Sequence, residues 1–549
     1  MEQREHAGSH GSSRGEGLRG RGRQRRGRSA YRGASRYFGG SESANTTSFG
    51  DTNCREADPM LLRLDGDSPT PAYRQICELV VALIDGGGLR PGDRLPATRR
   101  LATSVGVHRS TVVRAYEELR ALGYVESTSG AYTTVRRRQP LSTASPSPSA
   151  LRTSAVDWSR LSTRRARAVR ELGLWVASAD SRVIDFDRLT ADPSLAPSDD
   201  LRRCLRGAVA REGRAAFDYT DPAGWRPLRE ALALRLRRHG VEASADQILI
   251  TCGAQQGLDL VLRMLVGDRD RVAVEAPTYG VAHALLRLHG ARPVEIPMQP
   301  SGMDLDALER ALRRDAPKLV YTMPTFHNPT GTTTDQAHRE RLLAICERAR
   351  VPLLEDGFEE EMKYFGKAVL PIKSMDRSGV VLYVGTFSKV VFPGLRVGWI
   401  VAPREAIVTL TALQHASSLA VNTVAQVAAE RFCRGGDFDA HLRRIHRVYR
   451  NRMQVLLRCL DEHLPHEIER TRPTGGYSMW LTLPPSIRGE STWLERIAAA
   501  GVRVAPGSRF FRKEPKRVHF RLSIACVDEA QIADGCDRLS RTLARALRS

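Results

Sequence analysis

The sequence predicts a two-part chain: a small α+β unit of three helices and a hairpin, followed by a large α/β unit whose sheet is mainly parallel. Three observations carry this. From about Val183 onward, short Val/Ile/Leu runs (ILIT, RVAVEAP, KLVYTMP, VPLLED, VVLYVGT, VGWIVAP) alternate with helical stretches, the rhythm of strands joined by crossover helices. Between Pro69 and Val135 the apolar spacing is instead that of amphipathic helices ending in an alternating segment. And 549 residues exceed what one core holds, at roughly 100 to 200 residues per domain.

Residues 1–67 are rich in Gly, Ser and Arg and show neither a helical nor an alternating apolar period, the composition of a solvated, disordered tail. Tyr31, Tyr37 and Phe38 offer stacking faces, so a nonspecific nucleic-acid-binding arm is the sharper reading. The net charge of +22 makes nucleic acid the first partner to consider. Eleven arginines against five acids in the first 55 residues account for part of that charge, and only seven residues of the chain are lysine. No run of 18 apolar residues and no secretory apolar core is present, which points to a cytoplasmic protein without a membrane span. Nine scattered cysteines without a CxxC pair indicate neither a disulfide framework nor a metal site.

Residues 68–137 form the small unit. Ile76, Leu79, Val80, Leu83 and Ile84 make one apolar stripe, which stops at Gly86 to Gly88. LRPGDRLP is a turn, TRRLATSVG a short helix and VHRSTVVRAYEELRALG a longer one; YVESTSGAYTTV alternates like a hairpin. Ala102, Gly106 and Val112 have the spacing of a helix-turn-helix, whose second helix enters the major groove by its N-terminal residues. His108, Arg109, Ser110 and Thr111 are then the base or phosphate contacts, with Arg114 one turn further, Arg99 and Arg100 near the backbone, and Ser127 to Tyr132 as the wing. From Tyr73 to Val135 the run resembles the GntR family of winged-helix regulators, which implies binding to promoter half-sites in double-stranded DNA. SGAYTTV stands where that family has a Gly-x-Gly turn.

Residues 138–182 read as a connector, Pro/Ser-rich at first and then helical around STRRARAVRELGLWV. In the large unit, residues 183–549, Lys389 follows the apolar run VVLYVGTFS in a chain that otherwise avoids lysine. Such a position calls for a primary amine that arginine cannot supply, as Schiff-base chemistry with an aldehyde does. Thr386, Ser388 and Arg396 offer donors to a phosphate. Asp356 ends a buried strand in the carboxylate that pyridoxal 5'-phosphate (PLP) needs beside its ring nitrogen. Asn328, in NPTG, offers an amide to the phenolate oxygen. Gly253, Ala254 and Gln255 form a strand-to-helix turn able to cradle phosphate, and Tyr279 is placed to stack on the ring.

In their order, TFSK, NPTG and ED resemble the fold-type I aminotransferases of class I/II from Val183 to Ser549, so the expected architecture is a large α/β transferase domain with a smaller C-terminal α+β subdomain. The resemblance implies that Lys389 condenses with the cofactor aldehyde, Asp356 partners the ring nitrogen, Asn328 the phenolate oxygen and Arg396 the phosphate. It implies further that Tyr219 reaches the neighbouring subunit's cofactor in a dimer, and that Arg521 grips a ligand carboxylate. Where that group has Asp-Asp-Tyr, this chain has Asp356-Gly357-Phe358, so a phenol is missing. The fused arrangement is similar to the MocR/GabR regulators, in which a head-to-tail dimer senses PLP or a small amine or amino acid. An active aminotransferase with an autoregulatory DNA-binding domain is the alternative expectation.

Overall fold

The computed structural model describes residues 62–127, 132–137, 156–172, 182–367 and 369–547. They fall into two compact units, divided in sequence after residue 153. Residues 1–61 of the tail and 128–131 of the wing tip lie outside the described residues, whereas Leu62, read as tail, is buried in the core of the first unit with Leu64 packed against it.

In the first unit, α1 (Ala72–Asp85), α2 (Thr98–Val105) and α3 (Arg109–Ala121) precede an antiparallel pair, β1 (Val125–Ser127) and β2 (Thr133–Val135). Ile76 and Val80 of α1 face Val112, Ala115 and Leu119 of α3 in one buried cluster, with Leu79, Leu83 and Ile84 packed at its margin. The apolar stripe read from the sequence is therefore the core face. Gly106 ends α2 at φ +70°, a left-handed conformation that a side chain would strain, and the Val107 amide donates back to the Ala102 carbonyl at 3.1 Å. This sharp reversal sets α3 across α2.

The second unit begins, among the described residues, within the segment read as a connector. There α4 (Trp158–Leu161) and α5 (Arg164–Arg170) form, and Arg165 of α5 pairs with Asp268. The short strand β3 (Ile184–Asp185) follows, then α6 (Ser198–Glu212) and α7 (Arg226–Arg237). The six apolar runs become β4 (Ile248–Thr251), β5 (Arg271–Ala276), β8 (Leu319–Thr322), β9 (Leu353–Asp356), β10 (Val381–Thr386) and β11 (Gly398–Val401). Between them lie α8 (Ala254–Leu265), α9 (Gly280–His289), β6 (Arg292–Gln299), β7 (Gly302–Met303), α10 (Leu305–Asp315) and α11 (Gln336–Ala349).

The sheet order is β4-β11-β10-β9-β8-β5-β6-β7. From β10 to β6 every pairing is parallel; β11 runs antiparallel to both its neighbours and β7 folds back on β6. Strands buried on both faces carry no polar alternation, which is why they read as continuous apolar runs. After α12 (Arg404–Ser418), α13 (Thr423–Arg434) and the long α14 (Asp437–His463), the smaller α+β part forms. It comprises β12 (Glu469–Arg470), β13 (Ser478–Thr482), α15 (Glu490–Ala499), β14 (Val502–Arg503), β15 (Ala505–Pro506), β16 (His519–Ser523) and α16 (Glu529–Leu547). Strands β12-β13-β16-β15 make an antiparallel sheet, and β14 pairs in parallel with the distant β3. Among the described residues no helix is long and apolar enough to cross a membrane.

Candidate functional site

Parallel strands deliver their carboxyl ends to one edge of a sheet, and ligands of such sheets bind outside that edge. Here β4 runs into Gly253, β5 into Tyr279, β8 into Asn328, β9 ends at Asp356, and β10 ends at Thr386, three residues before Lys389. Tyr279, Asn328, Asp356, Thr386 and Lys389 line one cavity of about 360 Å³, together with Ala254, Gln255, Ser388, Arg396, Phe358, Leu189, Arg509 and Arg521, and Gly253 lies directly before Ala254. Residues spread over more than 300 positions of sequence meet there.

At one end, Gly253 caps α8 at φ +78° with no side-chain cap, so the first amides of the helix remain for a ligand. At this positive φ a side chain is strained, and a Cβ would come within 2.9 Å of the Arg396 guanidinium, which would have to shift. Arg396 donates to the Cys252 carbonyl at 2.6 Å, which holds it over the turn. The Thr386 and Ser388 hydroxyls lie 3.0 Å apart beside it. Helix amides, two hydroxyls and one guanidinium make a phosphate-shaped set of donors.

At the base of the cavity, Asp356 is buried. Its Oδ2 accepts from the Tyr321 hydroxyl at 2.9 Å, while Oδ1 has no partner. An unpartnered buried carboxylate oxygen is costly, and a protonated ring nitrogen would satisfy it. Burial pushes this carboxyl up to about 6, against the Tyr321 hydrogen bond and the Lys389 charge, which lower it. The Asn328 side-chain carbonyl accepts from Arg521 at 3.2 Å, which fixes the amide. Tyr279 donates to the Gln255 side chain at 3.3 Å, and burial pushes its phenol up to about 12.

Lys389 donates from Nζ to the Leu189 carbonyl, and its own carbonyl accepts from Tyr477. Loss of water lowers the pKa of its ammonium, against the carboxylates of Glu359 and Asp356, which raise it. A lowered amine pKa leaves more neutral, nucleophilic nitrogen. Together the free Asp356 oxygen, the Gly253 cradle and the amine between them fit PLP.

Several of these residues escaped the sequence reading. Tyr321 lies on β8 beside Leu354 of β9 and brings a phenol to Asp356 from a neighbouring strand. Phe358 is buried in the cavity wall and brings no phenol there, while the Tyr321 phenol meets Asp356. Glu359 is buried near Lys389, and Arg509 and Asp187 form an ion pair at the far end of the cavity. None of these sits in a motif, and only tertiary proximity marks them. Tyr219 is 77% exposed and does not line the cavity of its own chain.

The residues expected from the sequence to meet DNA divide as well. Arg99, Arg100, Arg109 and Ser110 are exposed, and Thr111 is half-buried. Arg109 reaches the Thr98 hydroxyl at 3.4 Å. His108 is the N-cap of α3: its Nδ1 accepts from the Ser110 amide at 3.4 Å and lies 2.7 Å from the Ser110 hydroxyl. That ring is engaged in capping, so helix initiation is the first role the structure gives it. Arg114 stacks its guanidinium over Tyr73 of α1 at 4.0 Å, within the unit. At the wing, Arg120 donates to Ser127, and Arg94 lies 4.1 Å over the Tyr132 ring.

A lysine-lined cavity at the carboxyl edge of a mainly parallel sheet, in one chain with a helix-turn-helix, defines a DNA-binding protein with an aminotransferase-type cofactor domain. Residues 192–539 match the model "Aminotransferase class I and II", and residues 72–135 match "Bacterial regulatory proteins, gntR family". The chain is 34% identical to the HTH-type transcriptional regulator TauR of Rhodobacter capsulatus, over 85% of this chain and 95% of that one. It is 35% identical to aromatic-amino-acid aminotransferase 1 of Thermococcus litoralis, over 69% of this chain and 92% of the enzyme. The crystal structure of Pyrococcus horikoshii kynurenine aminotransferase superposes with a TM-score of 0.67 at 32% identity, covering 72% of this chain and 99% of that one. The chain belongs to the class I and II aminotransferase family and, through its gntR-type head, to the MocR/TauR-type transcriptional regulators. It is a DNA-binding regulator whose large unit uses PLP.

The Asp356 carboxyl makes a pH prediction. Its raised pKa means that the folded protein without cofactor holds a proton the unfolded chain has lost. This contribution to stability is complete below the ordinary value of 3.8 and disappears as pH rises to about 6. At about 1.4 kcal/mol per pH unit, up to about 3 kcal/mol is involved. Thermal melts of cofactor-free protein are expected to fall more steeply between about pH 4 and pH 7 in wild type than in Asp356→Asn. Equal slopes would refute the assignment.

Proposed function

We propose that this regulator senses a small amine or amino acid through the Lys389 cavity, and that occupancy of the cavity sets how two helix-turn-helix units meet two half-sites in a head-to-tail dimer. The organisation we assign is a tail (1–67), a DNA-binding domain (68–137), a connector (138–182) and a sensor domain (183–549). The observation that carries the ligand class is Arg521. It is buried, shares the cavity with Lys389, and has an Nε without a partner. A buried guanidinium with a free donor is a carboxylate receptor.

When bound, PLP supplies an aldehyde open to primary amines and an electron-withdrawing ring. The chain's residues do the rest. Lys389 presents the resident amine; Asp356 Oδ1 would hold a proton on the ring nitrogen, and Asn328 and Tyr279 would help hold the group in the cavity. The α8 amides with Thr386, Ser388 and Arg396 take the phosphate. Tyr219, exposed in its own chain, is assigned to the neighbouring subunit's cofactor. A ligand that prefers one dimer geometry shifts the population toward it, with coupling typically about 1–3 kcal/mol.

A working aminotransferase is the second reading, favoured by the presence of both Arg521 and the full set of lysine, carboxylate and phosphate-binding groups in one cavity. A footprint on the DNA upstream of the gene, with and without PLP and with an added amino acid, separates the two. The expected result is protection whose extent or spacing changes with PLP and ligand. Identical protection in every lane, with turnover of an amino donor and a keto acid, would overturn the sensor reading.

A further inference from the structure

The carboxylate end of the cavity holds two arginines, and one of them is already occupied. Arg509 donates from Nη1 to Asp187 Oδ1 at 2.7 Å and from Nη2 to Oδ2 at 3.3 Å, a forked pairing that uses both terminal nitrogens. Arg521 donates to the Asp187 backbone carbonyl and lies 3.4 Å from Oδ1, yet its Nε stays buried and unpartnered. Phe510 lies 5.4 Å from the Arg521 guanidinium. Asp187 is 8% exposed. Its backbone is anchored through the preceding residue: the Phe186 amide donates to the Arg503 carbonyl at 2.9 Å and the Ser523 amide to the Phe186 carbonyl at 2.9 Å, while its own amide donates to the Asp185 side chain at 2.9 Å. The segment is tied into the β3–β14 pair and the end of β16. Asp187 thus stands behind Arg509 and Arg521, which line the cavity, and is held there by the fold.

We propose that Asp187 is a specificity-determining residue that neutralises Arg509, so that the cavity accepts amino ligands carrying one carboxylate and rejects those carrying two. This rests on the amino-ligand reading above and names the ligand class. Two guanidiniums and one resident carboxylate leave a single net positive charge at this end, the complement of one ligand carboxylate on the Arg521 Nε. A second ligand carboxylate would find Arg509 already paired and the Asp187 anion close behind it. With Asp187 and Arg521 buried, such like-charge juxtaposition discriminates between ligands. Removing the resident anion frees Arg509 as a second carboxylate receptor.

The test titrates the visible band of the PLP-loaded full-length protein with L-alanine and L-glutamate, in wild type, Asp187→Asn, Asp187→Ser and the double variant Asp187→Asn/Arg509→Gln. Wild type is expected to bind L-alanine at least about tenfold more tightly than L-glutamate. In both single variants the ratio moves toward L-glutamate by about tenfold or more, and in the double variant it returns toward wild type because the extra cation is gone. Asn conserves volume and Ser does not, so agreement between them separates charge from packing. A wild type that prefers L-glutamate, or a ratio unchanged by Asp187→Asn, overturns this proposal and leaves the sensor reading standing. If neither amino acid perturbs the band in any protein, the amino-ligand reading falls, and this proposal falls with it.

Discussion

Lys389→Ala is expected to abolish covalent retention of PLP: the visible band of the bound cofactor shifts to that of free aldehyde, and gel filtration strips the cofactor from the protein. Lys389 is the one lysine lining the cavity. Burial lowers the pKa of its ammonium, so the reactive, neutral amine costs less to form there than at the surface. What remains after substitution is the phosphate cradle and the Asp356 contact, which are non-covalent. Affinity is expected to fall at least about a hundredfold, or roughly 3 kcal/mol. Lys389→Arg should fail in the same way, since a guanidinium stays charged and cannot condense with an aldehyde. Both proteins should also lose any PLP-dependent change in the footprint. Retained spectral binding in Lys389→Ala would remove this lysine from its assigned role.

Arg109→Ala is expected to weaken operator binding by about ten- to a hundredfold, the usual 1–3 kcal/mol for a well-placed arginine contact. Arg109 opens α3, is exposed, and makes only a 3.4 Å contact with Thr98, so little within the unit is lost with its side chain. The salt dependence tells what it touches. A phosphate contact lowers affinity for all sequences alike and reduces the slope of log affinity against log salt by about one. A base contact leaves that slope nearly unchanged and relaxes specificity at one position. His108→Ala behaves differently: it removes the cap of α3, so helix stability falls by about 1 kcal/mol before any DNA contact is considered. An unaltered affinity for Arg109→Ala would displace the interface from the start of α3.

Features with a local cause were legible in the sequence. The stripe of α1 follows from helical spacing, the reversal at Gly106 from the one residue type at ease with φ +70°, and the six apolar strands from burial on both faces. The residues at the carboxyl ends of those strands could be picked out because each follows directly on a recognisable run. The antiparallel direction of β11 could not, since VGWIVAP has the same apolar character as its parallel neighbours and direction depends on the path of the connecting chain.

Sequence alone thus determined the two units, singled out Lys389, Asp356, Thr386, Ser388 and Arg396, which share one cavity, and marked the helix that opens at Arg109, because short-range spacing and residue chemistry dictate all of these. Only the tertiary structure decided that His108 caps a helix and that Tyr321 supports Asp356 from the next strand. It alone placed Asp187 on Arg509, 322 residues away, and against Arg521, 334 residues away. Those contacts arise where β3 pairs with β14 and β16 passes the Asn328 loop. No local pattern encodes a meeting between segments that far apart; packing of the whole second unit brings the charges together, and their burial is what makes the pairing matter.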